Sequence, residues 1–321
     1  MHAFAWFLSA LFEKTDIFIF IAEKPRKEKT MKKTIALIIT AILVIGMLAA
    51  CGKKEESPQN GSSAAAPSGT IAAPDTLSGE LNIYAAASMT ESLDKVIGLF
   101  KEQHPNVTVN ANYQSSGDLV KAIKAGGVCD IFISAGAKQM NQIDITADAE
   151  INTDGSDFVV QGTRFKMLQN KCVLVVPDDN PAGLTSFADL KAAFDGPEFL
   201  FAKGGAEVPV GEYTTAIFEN LGIDETAVEG KINYCENVKA VQAAVKEAAV
   251  QAGVVYATDA YSAGLKVIDT ATDEMTGKTV IYPAAQISTG ENPDAAAAFM
   301  EFMMMPEASA CFEEVGFTVL K

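Results

Sequence analysis

The chain has 321 residues, of which 49% are hydrophobic and 21% charged, so it can bury a sizeable core and is not a disordered or collagen-like chain. Its 25 Lys and Arg residues and 41 Asp and Glu residues give a net charge of −16, which argues against nucleic acid or an anionic membrane surface as the main partner. Only two histidines occur, so a metal site built from several histidines is impossible.

The elements predicted in chain order begin with an N-terminal leader. Residues 31–51 combine a basic start, an apolar run too short to span a bilayer, and the ending Leu-Ala-Ala-Cys, an order that indicates a secretory signal. The ending resembles the lipobox of bacterial lipoproteins. That resemblance implies cleavage before Cys51, lipid attached to Cys51 and a mature protein held outside the cytoplasm on the cell membrane. Residues 1–30 are interpreted as an upstream extension.

A flexible tether is predicted after the leader, because residues 52–79 are rich in Ser, Ala, Gly and Pro and lack hydrophobic periodicity. Four cysteines follow it: Cys129, Cys172, Cys235 and Cys311. Their even number permits two disulfides in an exported protein, whereas a body of this size can also fold with buried free thiols. Both states stay open at this point.

Short β-like runs alternate with helical segments from residue 81 onward. Strands are predicted over 81–86, 107–113, 129–135, 171–177, 199–202, 253–258, 265–269 and 279–287. Helices are predicted from a Ser88-x-x-Glu91 capping box to Phe100, over 118–124, 186–194, 211–221 and 237–249, from Asn292 onward, and in a last segment ending near Gly316. The alternation predicts an α/β fold with parallel sheets covered by helices on both faces.

Enzyme motifs are missing from the sequence. No G-x-G-x-x-G follows a strand, and no G-x-S-x-G is present, so neither a dinucleotide cofactor nor a hydrolase nucleophile is indicated. Gly277-Lys278-Thr279 imitates the end of a P-loop but precedes a strand rather than a helix. His104, beside a proline at a helix end, is best interpreted as a solvated histidine. We therefore expect no enzyme activity, no catalytic residues and no cofactor.

Small hydroxyl residues mark two strand-to-helix corners, at 85–88 (Ala-Ala-Ala-Ser) and 114–117 (Gln-Ser-Ser-Gly). A helix N-terminus offers unpaired N–H groups and the positive end of a dipole, which together favour an anion. Ligands of open parallel sheets bind at the carboxyl ends of strands, where both corners are expected. Simple N-capping is the alternative for either serine alone.

Six segments in order resemble the periplasmic molybdate-binding protein family of ABC importers: YAAASMTESLDKV, YQSSGDLVKAI with CDIFISA, VPVGEYTTAIFENLG, ENVKAVQAAV, GVVYATDA and EEVGFTVL. The resemblance runs from about Gly79 to Lys321. It implies a type II periplasmic-binding-protein fold, in which two doubly wound α/β lobes joined by a hinge close over the ligand. One lobe is expected over 80–160 with 259–321, and the other over 161–258.

The resemblance also implies the ligand set. Ser88 and Ser116 would each give a hydroxyl and a backbone N–H, Val210 and Val238 would give backbone N–H groups, and Tyr256 would give its phenolic O–H. The metal of molybdate would be held only through its oxygens. The sequence departs from the common family pattern at Val210, where alanine is frequent.

The implied function is capture of molybdate, and of tungstate, for an ABC importer permease by a monomeric lipoprotein. The alternative is a binding protein for sulfate, phosphate or a small organic anion. Phosphate keeps a proton near neutral pH and favours an acceptor carboxylate, so a cavity-facing Asp118 would support it.

Overall fold

The computed structural model describes residues 77–320. Within them the strands are β1 Gly79–Ala86, β2 Val107–Gln114, β3 Ile131–Ile133, β4 Phe165–Asn170, β5 Cys172–Val176, β6 Phe201–Gly204, β7 Ile232–Cys235, β8 Ala252–Tyr256, β9 Lys266–Thr270, β10 Val280–Gln286 and β11 Thr318–Val319. The helices are α1 Thr90–Gln103, α2 Ser116–Lys124, α3 Ala137–Asn141, α4 Leu190–Ala193, α5 Pro209–Asn220, α6 Val238–Lys246, α7 Ala257–Ala263, α8 Asp273–Thr276, α9 Pro293–Phe302 and α10 Pro306–Glu314. The predicted leader, Cys51 and most of the tether lie outside the described residues.

The strands form two sheets. The first has the order β11-β4-β10-β3-β1-β2, with β1 parallel to β2 and β3. The second has the order β7-β6-β8-β5-β9, with β6 parallel to β7 and β8. The sheets are parallel only in part, contrary to the prediction from the strand–helix alternation: β10 runs antiparallel to β3 and β4, β11 runs antiparallel to β4, and β5 runs antiparallel to β8 and β9. Each sheet is therefore mixed.

The chain passes between the sheets twice, and the antiparallel strands flank both crossings. A single residue, Lys171, separates β4 in the first sheet from β5 in the second. The return runs from β9 through α8 to β10. The expected lobe bounds remain a prediction; the sheets differ from them at two strands, since β4 belongs to the first sheet and β9 to the second.

Burial explains why each sheet holds together. The run Cys172–Val176 is buried along its whole length because β5 has neighbours on both edges and helices over its faces. Aromatic clusters fill the core beside each sheet. Phe100 packs on Phe299 with ring centroids 4.9 Å apart beside the first sheet, and Phe194 packs on Phe218 at 5.6 Å beside the second.

Most predicted elements are present, and the differences are local. Asn292 caps α9 as predicted, and Asn237 caps α6; each accepts a backbone N–H three residues on. The capping box at Ser88 is wrong. Met89 is the N-cap of α1 without a side-chain cap, and Ser88 lies inside a 3-10 turn, Ala87–Met89. The sequence patterns also missed six short elements: β4, β7, β11, α3, α7 and α8.

The four cysteines among residues 77–320 are free thiols, three of them buried and Cys311 partly exposed. Burial raises the pKa of the Cys172 thiol well above its usual range. In the same residues no helix is long and apolar enough to cross a membrane. Nor does this part of the chain hold a cluster of His, Cys, Asp or Glu side chains suited to a metal ion.

Candidate functional site: a neutral cavity between the sheets

A small cavity of about 10 Å³ lies where the two sheets' helices meet. Its lining is Ala86, Ala87, Ser88, Gln114, Ser115, Ser116, Ala135, Val208, Pro209, Val210, Val238 and Tyr256. The structure thus brings all five sequence-predicted site residues to one place. Every side chain in this lining is uncharged, so the electrostatics of the cavity are those of hydroxyls, amides and helix ends.

The first sheet contributes two serines at the carboxyl ends of its strands. Ser116 is the first residue of α2, directly after β2, and its side chain is fully buried. Its Oγ accepts the backbone N–H of Ala135 at 3.0 Å. The Ser116 hydroxyl keeps its own hydrogen, which is available to donate into the cavity that Ser116 lines.

Ser115, next to Ser116, has the N-capping role that the sequence analysis gave as the alternative to ligand binding. Ser115 is the N-cap of α2: its Oγ accepts the Asp118 N–H at 3.2 Å and donates to Asp118 Oδ2 at 2.8 Å. Asp118 is not part of the cavity lining, and it also pairs with Lys121 at 3.0 Å. The Ser115 hydrogen bond, with help from Lys121, lowers the pKa of the Asp118 carboxyl. The S-x-x-D spacing of Ser115 and Asp118 was the sequence signal for this cap.

Ser88 enters the cavity from the turn after β1 and is almost fully buried. Its Oγ lies 2.9 Å from the phenolic oxygen of Tyr282, which belongs to β10. Sequence reasoning missed Tyr282, since it stands in an apolar strand 194 residues away with no polar pattern around it.

The second sheet contributes two helix starts. Val210 is the second residue of α5, behind Pro209 at the first position, and Val238 is the first residue of α6. First-turn N–H groups have no intrahelical partner, so both point backbone donors out of the helix end. Their side chains are buried in the core, which fixes the direction of those donors.

Tyr256 closes the cavity from the second side. It ends β8, it is 1% exposed, and its Oη donates to the Ala135 carbonyl at 3.4 Å, across the gap between the sheets. Burial raises the pKa of its phenol well above the usual value, so it stays a protonated donor. Ala135 therefore meets Ser116 through its N–H and Tyr256 through its carbonyl.

The rims of the cavity are in contact. A methyl group on Gly117 would lie 2.3 Å from the Glu207 carbonyl oxygen, so only glycine permits this approach. Glu212 Oε1 accepts from Gln139 Nε2 at 2.6 Å. Lys239 Nζ contacts Glu91 Oε1 at 2.7 Å and thereby joins α6 to α1. The described residues therefore adopt a closed cleft.

Lys239 also contacts Asp259 Oδ1 at 3.1 Å, so one ammonium is shared by two carboxylates. Asp259 is fully buried, and burial raises its pKa to about 6 even though Lys239 pulls in the opposite direction. None of these three charges belongs to the cavity lining.

The chain belongs to the family of bacterial extracellular solute-binding proteins, whose model matches residues 81–318. It is 31% identical over 243 residues to a Bacillus subtilis (strain 168) protein named as an ABC transporter substrate-binding lipoprotein, YvgL, with 74% of this chain and 86% of the relative covered. It is 30% identical over 246 residues to the molybdate-binding protein ModA of Escherichia coli (strain K12), with 75% of this chain and 90% of the relative covered.

A solved structure agrees with these relatives. A Clostridium difficile chain described as the substrate-binding domain of a molybdenum ABC transporter matches with a TM-score of 0.53 and 31% identity, covering 75% of this chain and 99% of that one. The periplasmic-binding-protein fold predicted from the sequence is confirmed. The protein is an extracytoplasmic solute-binding component.

Proposed function

We propose that this protein captures molybdate, and also tungstate, and delivers the anion to the permease of an ABC importer without chemical turnover. The observation that carries the proposal is the convergence of neutral donors from both sides on one small cavity whose lining holds no charged side chain. The molybdate-binding relatives support the same ligand.

The donor set suits a dianion that carries no proton. Ser88 and Ser116 each offer an O–H and a backbone N–H, and Val210 and Val238 offer N–H groups at helix starts, where the dipole favours negative charge. Tyr256 offers its O–H by turning it from the Ala135 carbonyl to the ligand. About seven hydrogen bonds to a charged group, at roughly 1.5–3 kcal/mol each, give on the order of 10–20 kcal/mol before desolvation and lobe closure. A micromolar to nanomolar dissociation constant, about 8–12 kcal/mol, is the expected net result.

Monohydrogen phosphate is disfavoured by the same geometry. It would need an acceptor for its own proton, and the carboxylate nearest in sequence, Asp118, is occupied by Ser115 and Lys121 outside the cavity lining. Tetrahedral dianions without a proton fit better, and molybdate, with longer bonds than sulfate, reaches more of the donors at once.

Calorimetry and thermal unfolding of the purified protein with molybdate, tungstate, sulfate and phosphate test the proposal. We expect strong stabilisation by the first two, about 2.7 kcal/mol at a ligand concentration 100 times Kd, and little by the others. Equal shifts for sulfate and molybdate would contradict the size selection, and no response to any of the four would contradict oxyanion binding.

The lipid anchor at Cys51 and a monomeric state complete the proposal. The Leu-Ala-Ala-Cys ending at 48–51 supports the anchor, and a Bacillus subtilis relative is named a lipoprotein. Mass spectrometry of the membrane fraction should find a mature chain that begins at a lipid-modified Cys51, with Cys51→Ser as the unanchored control. A mature chain that retains residues 1–50 would contradict the anchor.

A further inference from the structure

A chain of buried hydrogen bonds lies behind Ser88 and leads away from the cavity. Asn170 Nδ2 contacts Thr258 Oγ1 at 3.0 Å and Tyr282 Oη at 3.3 Å, and Tyr282 Oη lies 2.9 Å from Ser88 Oγ. All four side chains are at most 4% exposed. Tyr282 and Asn170 are not part of the cavity lining, so their hydrogen bonds reach a ligand through Ser88.

The direction of each hydrogen bond follows from Asn170. Its Oδ1 accepts the Lys171 backbone N–H at 2.8 Å, which turns the amide nitrogen toward Tyr282 and makes it a donor there. The phenolic oxygen of Tyr282 is thus occupied as an acceptor, and its hydrogen needs an acceptor of its own. Among residues 77–320, Ser88 Oγ is the acceptor within reach of that hydrogen. Burial raises the pKa of Tyr282 well above its usual value, so the hydrogen is retained.

We propose that Tyr282, oriented by Asn170, is a positioning residue that turns Ser88 into a fixed donor toward the bound oxyanion. This inference rests on the proposed function. With Tyr282 donating to Ser88 Oγ, the serine hydrogen is released into the cavity, in the same way that the Ala135 N–H releases the hydrogen of Ser116. Both first-sheet serines then have one acceptor position on the oxygen filled from behind and the hydroxyl hydrogen available to the ligand.

A double-mutant cycle separates this role from a structural one. Tyr282→Phe removes the O–H and keeps the ring that packs on Tyr256 and Phe317, with centroids at 5.7 and 5.1 Å. We expect the molybdate Kd measured by calorimetry to rise about three- to tenfold in the wild-type background, the equivalent of one lost hydrogen bond. In the Ser88→Ala background the same substitution should change Kd less than about twofold, because Tyr282 then has nothing to orient.

Tyr234→Phe is the matched control. Its hydroxyl donates to Glu225 at 3.1 Å, on a half-exposed side chain outside the cavity lining, so molybdate affinity should stay unchanged. Asn170→Leu removes the amide at the start of the chain of hydrogen bonds. We expect it to raise Kd about two- to threefold, again only when Ser88 is present. Thermal unfolding of each variant reports its folding. If Tyr282→Phe does not fold, the effect of Asn170→Leu on Kd, measured with Ser88 and with Ser88→Ala, tests the inference instead.

Equal losses in the two backgrounds would overturn the inference, since a structural effect does not depend on Ser88. An unchanged Kd in Tyr282→Phe would overturn it as well. Both outcomes leave the proposed function standing as long as the wild-type protein binds molybdate. A wild-type protein that binds no molybdate would overturn the proposed function and this inference with it.

Discussion

The two sides of the cavity offer donors of different kinds. The first sheet presents the side-chain hydroxyls of Ser88 and Ser116, while the second presents helix-start N–H groups at Val210 and Val238 together with the Tyr256 phenol. Hydroxyl donors depend on the identity of the residue, whereas backbone donors depend only on the helix beginning there. We therefore expect substitutions on the first side to change affinity and valine substitutions on the second to change mainly stability.

The largest effect should come from the point where the two sides touch. Gly117→Ala places a methyl group against the Glu207 carbonyl and blocks closure of the cleft, whatever the donors on either side. Overpacking of about 2–3 kcal/mol in the closed state predicts a molybdate Kd raised about 30- to 150-fold by calorimetry. Gly98→Ala is the control, since nothing lies within 4 Å of a methyl group there. An unaffected Kd in Gly117→Ala would mean that closure does not require this contact.

Ser116→Ala tests the hydroxyl side directly. It removes one donor to the dianion and one acceptor for the Ala135 N–H, so Kd should rise about ten- to hundredfold. Ser115→Ala is the natural control, because it removes the helix cap and should lower the free energy of unfolding by about 0.5–2 kcal/mol. If the Ser115 variant loses more molybdate affinity than the Ser116 variant, the two serines have been assigned the wrong roles.

Tyr256→Phe sharpens the comparison because, among the described residues that line the cavity, Tyr256 is the side-chain donor of the second side. The ring keeps its packing against Tyr213 and Tyr282, and only the O–H is lost. We expect a Kd about tenfold higher with a nearly unchanged melting temperature. Calorimetry that finds wild-type affinity would reduce Tyr256 to a core residue.

The smallest effect on affinity is expected at the backbone donors. Val210→Ala keeps the N–H and removes two buried carbon groups, at about 0.8 kcal/mol each, so the free energy of unfolding should fall by about 1.6 kcal/mol. The molybdate Kd should change less than about threefold, because the helix start is intact. A loss of affinity comparable to that of Ser116→Ala would contradict the distinction between hydroxyl donors on the first side and backbone donors on the second.

Local sequence patterns predicted most of the elements that build the cavity. Period-2 and period-3.6 runs placed β1, β2, α1, α2 and α6, and the start predicted for α6 at Asn237 agrees with the N-cap found there. What they could not predict was the direction of single strands. β5 and β10 are apolar along their length, and an apolar run has the same pattern whichever way the strand points. Their antiparallel pairing follows from the chain crossing between the sheets and not from their residues.

The candidate site shows the same limit at a finer scale. The resemblance to a known family pointed to Ser88, Ser116 and Tyr256, and the structure brings them to one cavity. The partners of these residues come from distant segments. Tyr282 lies behind Ser88 and the Ala135 N–H lies behind Ser116, and no short spacing connects either pair. Hydrogen-bond direction is a property of such tertiary contacts, so it becomes visible only once the fold is known.

The two crossings between the sheets differ in length, and this difference has a mechanical consequence. Lys171 alone links β4 to β5, while residues 271–279 link β9 to β10. The one-residue link cannot lengthen, so any rotation of one sheet against the other has its hinge at Lys171. The nine-residue link can change its conformation to follow that rotation. Groups next to a pivot move least. Asn170 adjoins Lys171, so the base of the cavity should keep its arrangement when the rim at Gly117 opens, and an incoming anion would meet an already oriented Ser88 before the second side covers it.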